Sequence, residues 1–184
     1  MKKMLTLFER NFSNNGCKAM DRVTPGAEWV VTGEGVATQK IDGACCMIRD
    51  GILYKRYDAK KGKMPPEGFE PCEAAPDPVT GHWPGWLKVG DGPEDRWFKD
   101  ARSNMLDVLP DGTYEATGPK FQGNPEKLAK NFLVPHGGEK LSDAPRDFEG
   151  LKEYLRDKDI EGIVWHHPDG RMVKIKKSDF FGKR

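Results

Sequence analysis

The chain has 184 residues, with 30 Lys and Arg against 29 Asp and Glu, for a formal net charge of +1. That length suits one domain, or at most two small ones, and can bury a real core. With 36% apolar and 32% charged residues, no apolar run long enough to cross a bilayer and no apolar stretch after Met1-Lys2-Lys3 to act as a signal peptide, the composition predicts a soluble, cytoplasmic protein with no membrane association.

The near-neutral total hides an uneven distribution. Residues 1–63 carry 12 basic and 7 acidic side chains, residues 64–170 carry 12 and 21, and residues 171–184 carry 6 and 1. Both ends are therefore basic, and termini that meet in the fold would form a cationic face suited to phosphate groups. A solvated charged surface is the plain alternative. The four cysteines (Cys17, Cys45, Cys46, Cys72) contain no Cys-x-x-Cys spacing, so reduced thiols are expected rather than a disulfide framework or zinc ribbon.

In chain order, residues 27–57 read as β-rich. Trp29-Val30-Val31 is an apolar run, and Asp50-Gly51 separates Met47-Ile48 from Ile52-Leu53-Tyr54 as a two-residue hairpin turn. Lys40 and Asp42 then fall on or beside a strand. Residues 62–95 hold seven prolines and many glycines, including His82-Trp83-Pro84-Gly85-Trp86, which predicts a long loop, an insertion or lid, with no regular element in a sheet interior. A strand is expected at Thr113 to Ala116, and a short helix near Asn124-Pro125-Glu126, where Asn would cap and Pro occupy the first helical position. Phe148, Leu151 and Leu155 recur at helical spacing behind Ser142 or Asp143 as cap, giving an amphipathic helix that ends near Asp157 and buries its stripe in the core. The chain closes on a second hairpin, Ile160 to Trp165 and Met172 to Lys176 around Pro168-Asp169-Gly170. There Val173 and Ile175 alternate with Lys174 and Lys176, so one face is apolar and the other carries two ammonium groups. These elements describe one α+β domain spanning residues 1–184, built on antiparallel strands with flanking helices.

Lys40-Ile41-Asp42-Gly43 is the first chemical candidate: the lysine and the acid share a strand face at i and i+2, and the glycine permits close approach of a ligand. Alone, a four-residue motif of this kind is unspecific. Downstream come Tyr114-Glu115, Glu161-Gly162-Ile163-Val164 and Lys174-Ile175-Lys176, each near an expected strand. This order resembles the covalent nucleotidyltransferase superfamily of polynucleotide ligases and capping enzymes, whose blocks are Lys-x-Asp-Gly, an acid-bearing middle strand, Glu-Gly followed by two apolar residues, and Lys-x-Lys. The text between the blocks narrows it. Ala37 to Cys46, Arg49 to Asp58, Thr80-Gly81-His82-Trp83-Pro84-Gly85-Trp86, and Gly118-Pro119-Lys120 with Asn124-Pro125-Glu126 look like the ATP-dependent RNA ligases related to the vertebrate 5′-phosphate to 3′-hydroxyl RNA ligase.

The resemblance implies a nucleotidyltransferase (adenylation) domain that joins RNA ends through a lysyl-AMP intermediate, with ATP as AMP donor and Mg2+ or Mn2+ as cofactor. Lys40 would be the nucleophile. An ordinary lysine, with a pKa of about 10.4, is protonated at neutral pH, so neighbouring cations or a metal must favour the neutral amine; Lys174 and Lys176 would add to that positive field and stabilise charge on the phosphoryl oxygens. Asp42 and Glu161 would surround the metal through its waters. By the same match Gly43 lines the nucleotide, Glu115 takes the ribose hydroxyls, and Arg56 holds ribose or α-phosphate, with Lys55 as the alternative. Trp29, Phe121 and Phe132 are the candidates to lie against adenine, although residues of each kind are more often simply core.

Cys45 stands where many DNA ligases carry Arg, which shifts that role to Arg56. With eight residues following Lys176, no C-terminal oligonucleotide-binding (OB) barrel is expected. Cys45 and Cys46, with His82 or His166-His167, offer a metal or redox reading, but the spacings match no metal template and buried apolar thiols are expected instead. The competing functions are a DNA ligase or capping-type nucleotidyltransferase, and a non-catalytic RNA-end binding module in which the basic ends and Trp83/Trp86 hold single strands.

Overall fold

Asp50 and Gly51 both take left-handed backbone angles, φ 52° and 71°, as a two-residue hairpin turn between twisted strands requires. They sit in a computed structural model that describes residues 3–12 and 18–182; Cys17 lies outside the described residues. In chain order the elements are β1 (Leu5–Thr6), β2 (Phe8–Asn11), β3 (Lys18–Val23), α1 (Glu28–Val31), β4 (Val36–Lys40), β5 (Ala44–Arg49) and β6 (Ile52–Ala59). They continue with β7 (Glu70–Pro71), β8 (Trp83–Lys88), α2 (Arg96–Ser103), β9 (Gly112–Thr117) and β10 (Phe132–Pro135). The last are α3 (Phe148–Asp157), β11 (Gly162–His166), β12 (Met172–Lys176) and α4 (Lys177–Phe181). The fold is mixed α/β, with mostly antiparallel sheets and few helices, and no helix among the described residues is long and apolar enough to cross a membrane.

The chain forms two compact units, one of residues 1–3 with Asp42–His136, the other of Met4–Ile41 with Gly137–Arg184. In the second, a four-stranded sheet runs in the order β1-β12-β11-β4, with β1 parallel to β12 and the other pairs antiparallel. Alternation sends Ala37, Ile163, Trp165, Val173 and Ile175 to one side, where they are buried with Leu151 and Leu155 of α3. Each of those leucines, fully buried, contributes about 1.5–3 kcal/mol. Strands β2 and β3 form a separate antiparallel pair in this unit.

The first unit is an antiparallel six-stranded sheet, β10-β9-β5-β6-β8-β7. Cys46, Ile48, Tyr114, Ala116 and Leu133 fill its core with Phe121 and Ala101 of α2. The expected role of Cys46 as a small buried apolar group holds: its exposure is zero.

Four local expectations are corrected. Trp29-Val30-Val31 lies in the short helix α1, where Trp29 and Val30 are both buried and Glu28 and Val31 exposed. Asn124 does not cap a helix. Gln122, Asn124 and Lys127 all have positive φ, and the Asn124 side chain closes a turn, accepting from the Leu128 N–H and donating to the Leu128 carbonyl, both at 2.9 Å. The cap of α3 is Asp147, which accepts from the Gly150 N–H at 2.8 Å. Finally, the 62–95 segment contains β8 inside the sheet, between β6 and the two-residue β7. Pro84 is tolerated there because β7 is too short to call on its missing N–H, while its carbonyl accepts from the Cys72 N–H at 2.9 Å.

Candidate functional site

The strand register of the second unit gathers the lysines. Gly162 of β11 is the partner of Lys40 on β4 and of Lys176 on β12, and Val164 is likewise the partner of Thr38 and Lys174. Residues directly opposite share a face, so Lys40, Lys174 and Lys176 all lie on the face turned away from the Ile163–Trp165 core. Gly162 is obligatory at the centre of this row: a Cβ there would lie 2.1 Å from the Ile175 carbonyl oxygen and 2.8 Å from the Lys176 Cα. The glycine of the Glu-Gly block lets β11 and β12 close together between the two lysines.

Glu161, one residue before that glycine, takes a lysine on each oxygen. Its Oε2 accepts from Lys40 Nζ at 2.6 Å and its Oε1 lies 2.5 Å from Lys176 Nζ. Lys40 and Glu161 are largely withdrawn from solvent, with side-chain exposures of 16% and 14%, so these charge-assisted bonds are screened little by water. The base of the row is anchored by Lys176 N–H donating to Asp179 Oδ2 at 2.9 Å and by Lys177 N–H donating to the Glu161 carbonyl at 2.8 Å.

Lys174 completes the cluster. Burial first, then the Lys176 and Lys40 charges, push its ammonium down to about 8, with Arg10 acting the same way and Glu161 opposing. Arg10, from β2, thus joins the C-terminal lysines, so basic residues of both chain ends meet in this unit.

In the first unit Glu115 lies on β9, partnered across the ladder by Cys45 on β5 and by Val134 on β10. It is 7% exposed and its Oε2 is 2.8 Å from His136 Nε2. His136 follows β10 directly, and its Nδ1 is 3.0 Å from the Thr113 Oγ1. The Cys45 sulfur completes a trio with Glu115 and His136, their donor atoms all within 4.8 Å of one another. His82, His166 and His167, the partners considered from sequence, are not in this group. Next to it the Cys46 thiol is pushed well above its usual range by burial, reinforced by Cys45 and Glu115.

Arg56 and Lys55 separate cleanly. Lys55 pairs with Cys46 across the ladder and its ammonium bonds Asp95, whose other oxygen accepts from the Gly90 N–H at 2.7 Å. That buried ion pair gives Lys55 a structural task. Alternation puts Arg56 on the opposite face of β6, the one carrying Cys45 and Glu115 on neighbouring strands. Asp42 and Gly43 lie between β4 and β5. The Asp42 carbonyl accepts from the Thr117 hydroxyl at 3.4 Å, and a Cβ on Gly43 would lie 2.2 Å from the Ala116 carbonyl oxygen. The close approach that this glycine permits is therefore made by the backbone of β9.

Among the aromatic candidates, Trp29 and Phe121 are buried core residues, the latter edge-on to Phe98 at 5.3 Å between ring centroids. Phe132 remains half-buried. Trp86 is buried, and Trp83 packs edge-on to Phe69 while donating its Nε1 hydrogen to the Glu73 carbonyl at 2.7 Å. These contacts hold Trp83 in place, and burial leaves Trp86 no open face for stacking a base. His136 and Arg10 are the residues sequence reasoning passed over; the apolar run Phe132-Leu133-Val134 before Pro135 was the available sign that a strand delivers His136.

Comparison with known proteins agrees with the motif reading. A family model described as RNA ligase 1 matches residues 94–182, a stretch that contains Glu115, His136, Glu161, Lys174 and Lys176. RNA ligase 1 of Mus musculus is 25% identical over 214 aligned positions, covering 77% of this chain and 65% of that protein. RNA ligase 1 of Danio rerio is 25% identical over 231 positions, covering 86% of this chain and 71% of that protein. The chain thus resembles the vertebrate RNA ligase 1 proteins, and its match spans slightly under two thirds of the mouse protein's length.

Proposed function

We propose that this protein is an ATP-dependent RNA ligase that joins 5′-phosphate and 3′-hydroxyl RNA ends through AMP carried on Lys40. One observation carries the reading: Lys40, Lys174 and Lys176, from two motif blocks far apart in the chain, share one sheet face, and Glu161 of a third block, just ahead of β11, is bonded to two of them. A third, half-buried lysine beside them, its charge disfavoured by burial and then by the two neighbouring lysines, is the kind of perturbed group that clusters at functional sites.

In the first step the Lys40 amine, having lost its proton to solvent, attacks the α-phosphorus of ATP. The N–P bond forms as the P–O bond to the β-phosphate breaks and pyrophosphate leaves. Glu161 holds the amine in position, and Lys174 and Lys176 face charge spread over the phosphoryl oxygens. In the second step AMP passes from Lys40 to the RNA 5′-phosphate; in the third, a 3′-hydroxyl attacks that phosphate and AMP leaves. Following the motif resemblance, Asp42 and Gly43 would line the nucleotide, Glu115 would accept from the ribose hydroxyls, and Arg56 would contact ribose or α-phosphate.

Glu161 supplies only hard oxygen donors, which suits Mg2+ or Mn2+, and magnesium needs few protein ligands because it keeps several waters. With Asp42 it would hold the ion, which supplies neutralising charge at the phosphates. The test is incubation of the purified chain with α-labelled ATP or GTP and magnesium, followed by denaturing electrophoresis. Label from ATP that disappears in Lys40→Ala is expected. No label from ATP, or label that survives the substitution, overturns the proposal, and label from GTP alone favours the capping-type alternative. A panel of RNA and DNA ends distinguishes an RNA ligase from a DNA ligase.

A further inference from the structure

A cysteine, a glutamate and a histidine from three different segments meet in the first unit, and the lysine chemistry explains none of the cysteine or the histidine. Cys45 and Glu115 are cross-strand partners on β5 and β9, and His136 is delivered from the end of β10. Cys45 carries a thiol, Glu115 is buried, and the three donor atoms lie within 4.8 Å of one another. The interval is close enough for small side-chain rotations to bring all three onto one ion.

The donor types narrow the ion. One thiolate, one imidazole and one carboxylate form a mixed S, N, O set of the kind that selects zinc-class cations over magnesium or calcium, which prefer oxygen alone. The histidine is also braced as ligating histidines are. Its Nδ1 lies 3.0 Å from the Thr113 hydroxyl, so an Nδ1 hydrogen donated outward leaves the Nε2 lone pair facing Glu115 and Cys45. Here the outer hydrogen bond is built into β9 itself, two residues before Glu115.

We propose that Cys45, Glu115 and His136 form a three-ligand site for one zinc-class divalent cation, with the fourth coordination position open to water or a small ligand. Binding breaks the Glu115–His136 hydrogen bond, whose proton passes to solvent while Nδ1 keeps its hydrogen toward Thr113, and gives each group a bond to the metal; a metal–sulfur bond forms as the Cys45 thiol proton also passes to solvent. A consequence rests on the proposed function: a cation on Glu115 occupies the carboxylate assigned to ribose, so zinc and ATP compete.

The test uses the full chain, stripped of metal and titrated with Co2+ as a spectroscopic stand-in for zinc. One equivalent is expected to give tetrahedral visible bands and a sulfur-to-cobalt charge-transfer band, both abolished by added Zn2+. Cys45→Ser should remove the charge-transfer band while Cys72→Ser keeps it, and His136→Cys should retain binding with about twice the charge-transfer intensity, since two thiolates replace one. That gain cannot come from a misfolded protein. A band that survives Cys45→Ser, or no cobalt spectrum at any ratio, overturns the site. Cobalt binding is read without ATP and AMP labelling without cobalt, so the metal site and the ligase reading fail separately. Zinc that lowers lysyl-AMP yield in the wild type, with recovery as ATP is raised, would join the two.

Discussion

The Nζ of Lys40 lies 2.6 Å from Oε2 of Glu161, although the two residues are 121 positions apart in the chain. The carboxylate bonds both Lys40 and Lys176 and offsets the mutual repulsion of Lys40, Lys174 and Lys176. Glu161→Gln keeps the shape and removes the charge. Initial rates of AMP labelling are expected to fall by about 100-fold or more, the range for removing a group that positions or stabilises reacting charge. Labelling at the wild-type rate would remove Glu161 from the chemistry.

Lys174 gives the fold a pH dependence whose direction is set by its depressed pKa, about 8 against an ordinary 10.5. Below pH 8 the lysine is charged in both states and the cost of burying that charge is fully present. Between 8 and 10.5 the unfolded chain binds the proton and the folded chain releases it, so this contribution makes stability rise with pH. Its size is on the order of 1–3 kcal/mol. Cys46, with its raised pKa, pulls the opposite way, so the informative quantity is the difference between wild type and Lys174→Met in urea unfolding at pH 7.5 and pH 9.5. Lys174→Met is expected to be the more stable protein at pH 7.5, with its advantage shrinking at pH 9.5; an advantage independent of pH would contradict the assignment.

The two motif glycines answer to the sheets. Gly162→Ala sets a Cβ 2.1 Å from the Ile175 carbonyl, and Gly43→Ala sets one 2.2 Å from that of Ala116. Backbone must shift in both cases, and each substitution is expected to cost about 1–3 kcal/mol in denaturant unfolding. Gly162→Ala should also slow labelling, because the strands it separates carry Lys40 and Lys176. Wild-type midpoints for both variants would refute the packing role.

Much of this architecture could be read locally. Asp50-Gly51 and Pro168-Asp169-Gly170 mark turns by residue type, and Phe148, Leu151 and Leu155 mark a helix by period. What escaped was settled by tertiary context. A three-residue apolar run at Trp29 fits a strand or a helix equally well, and Pro84 is compatible with a sheet interior only because β7 beside it is two residues long. The charged members of the lysine cluster were legible as motifs, but their convergence depends on the β12-β11-β4 register. His136 belongs to no motif, and its meeting with Cys45 and Glu115 depends on which strands flank β9.

Lys55 and Asp95 provide the sharpest contrast with Arg56. Their side chains are 17% and 5% exposed, and Asp95 also anchors the Gly90 N–H, so Asp95→Ala strands a lysine and a backbone donor together. The expected loss is about 3–5 kcal/mol, with much of it recovered in Lys55→Met/Asp95→Leu, where neither charge is left alone. Arg56→Ala, on the opposite face, is expected to raise the ATP concentration needed for half-maximal labelling by about tenfold, the effect of one lost charge-assisted contact. If Lys55→Met instead raises that concentration and Arg56→Ala leaves it unchanged, the assignment of the two neighbours is reversed.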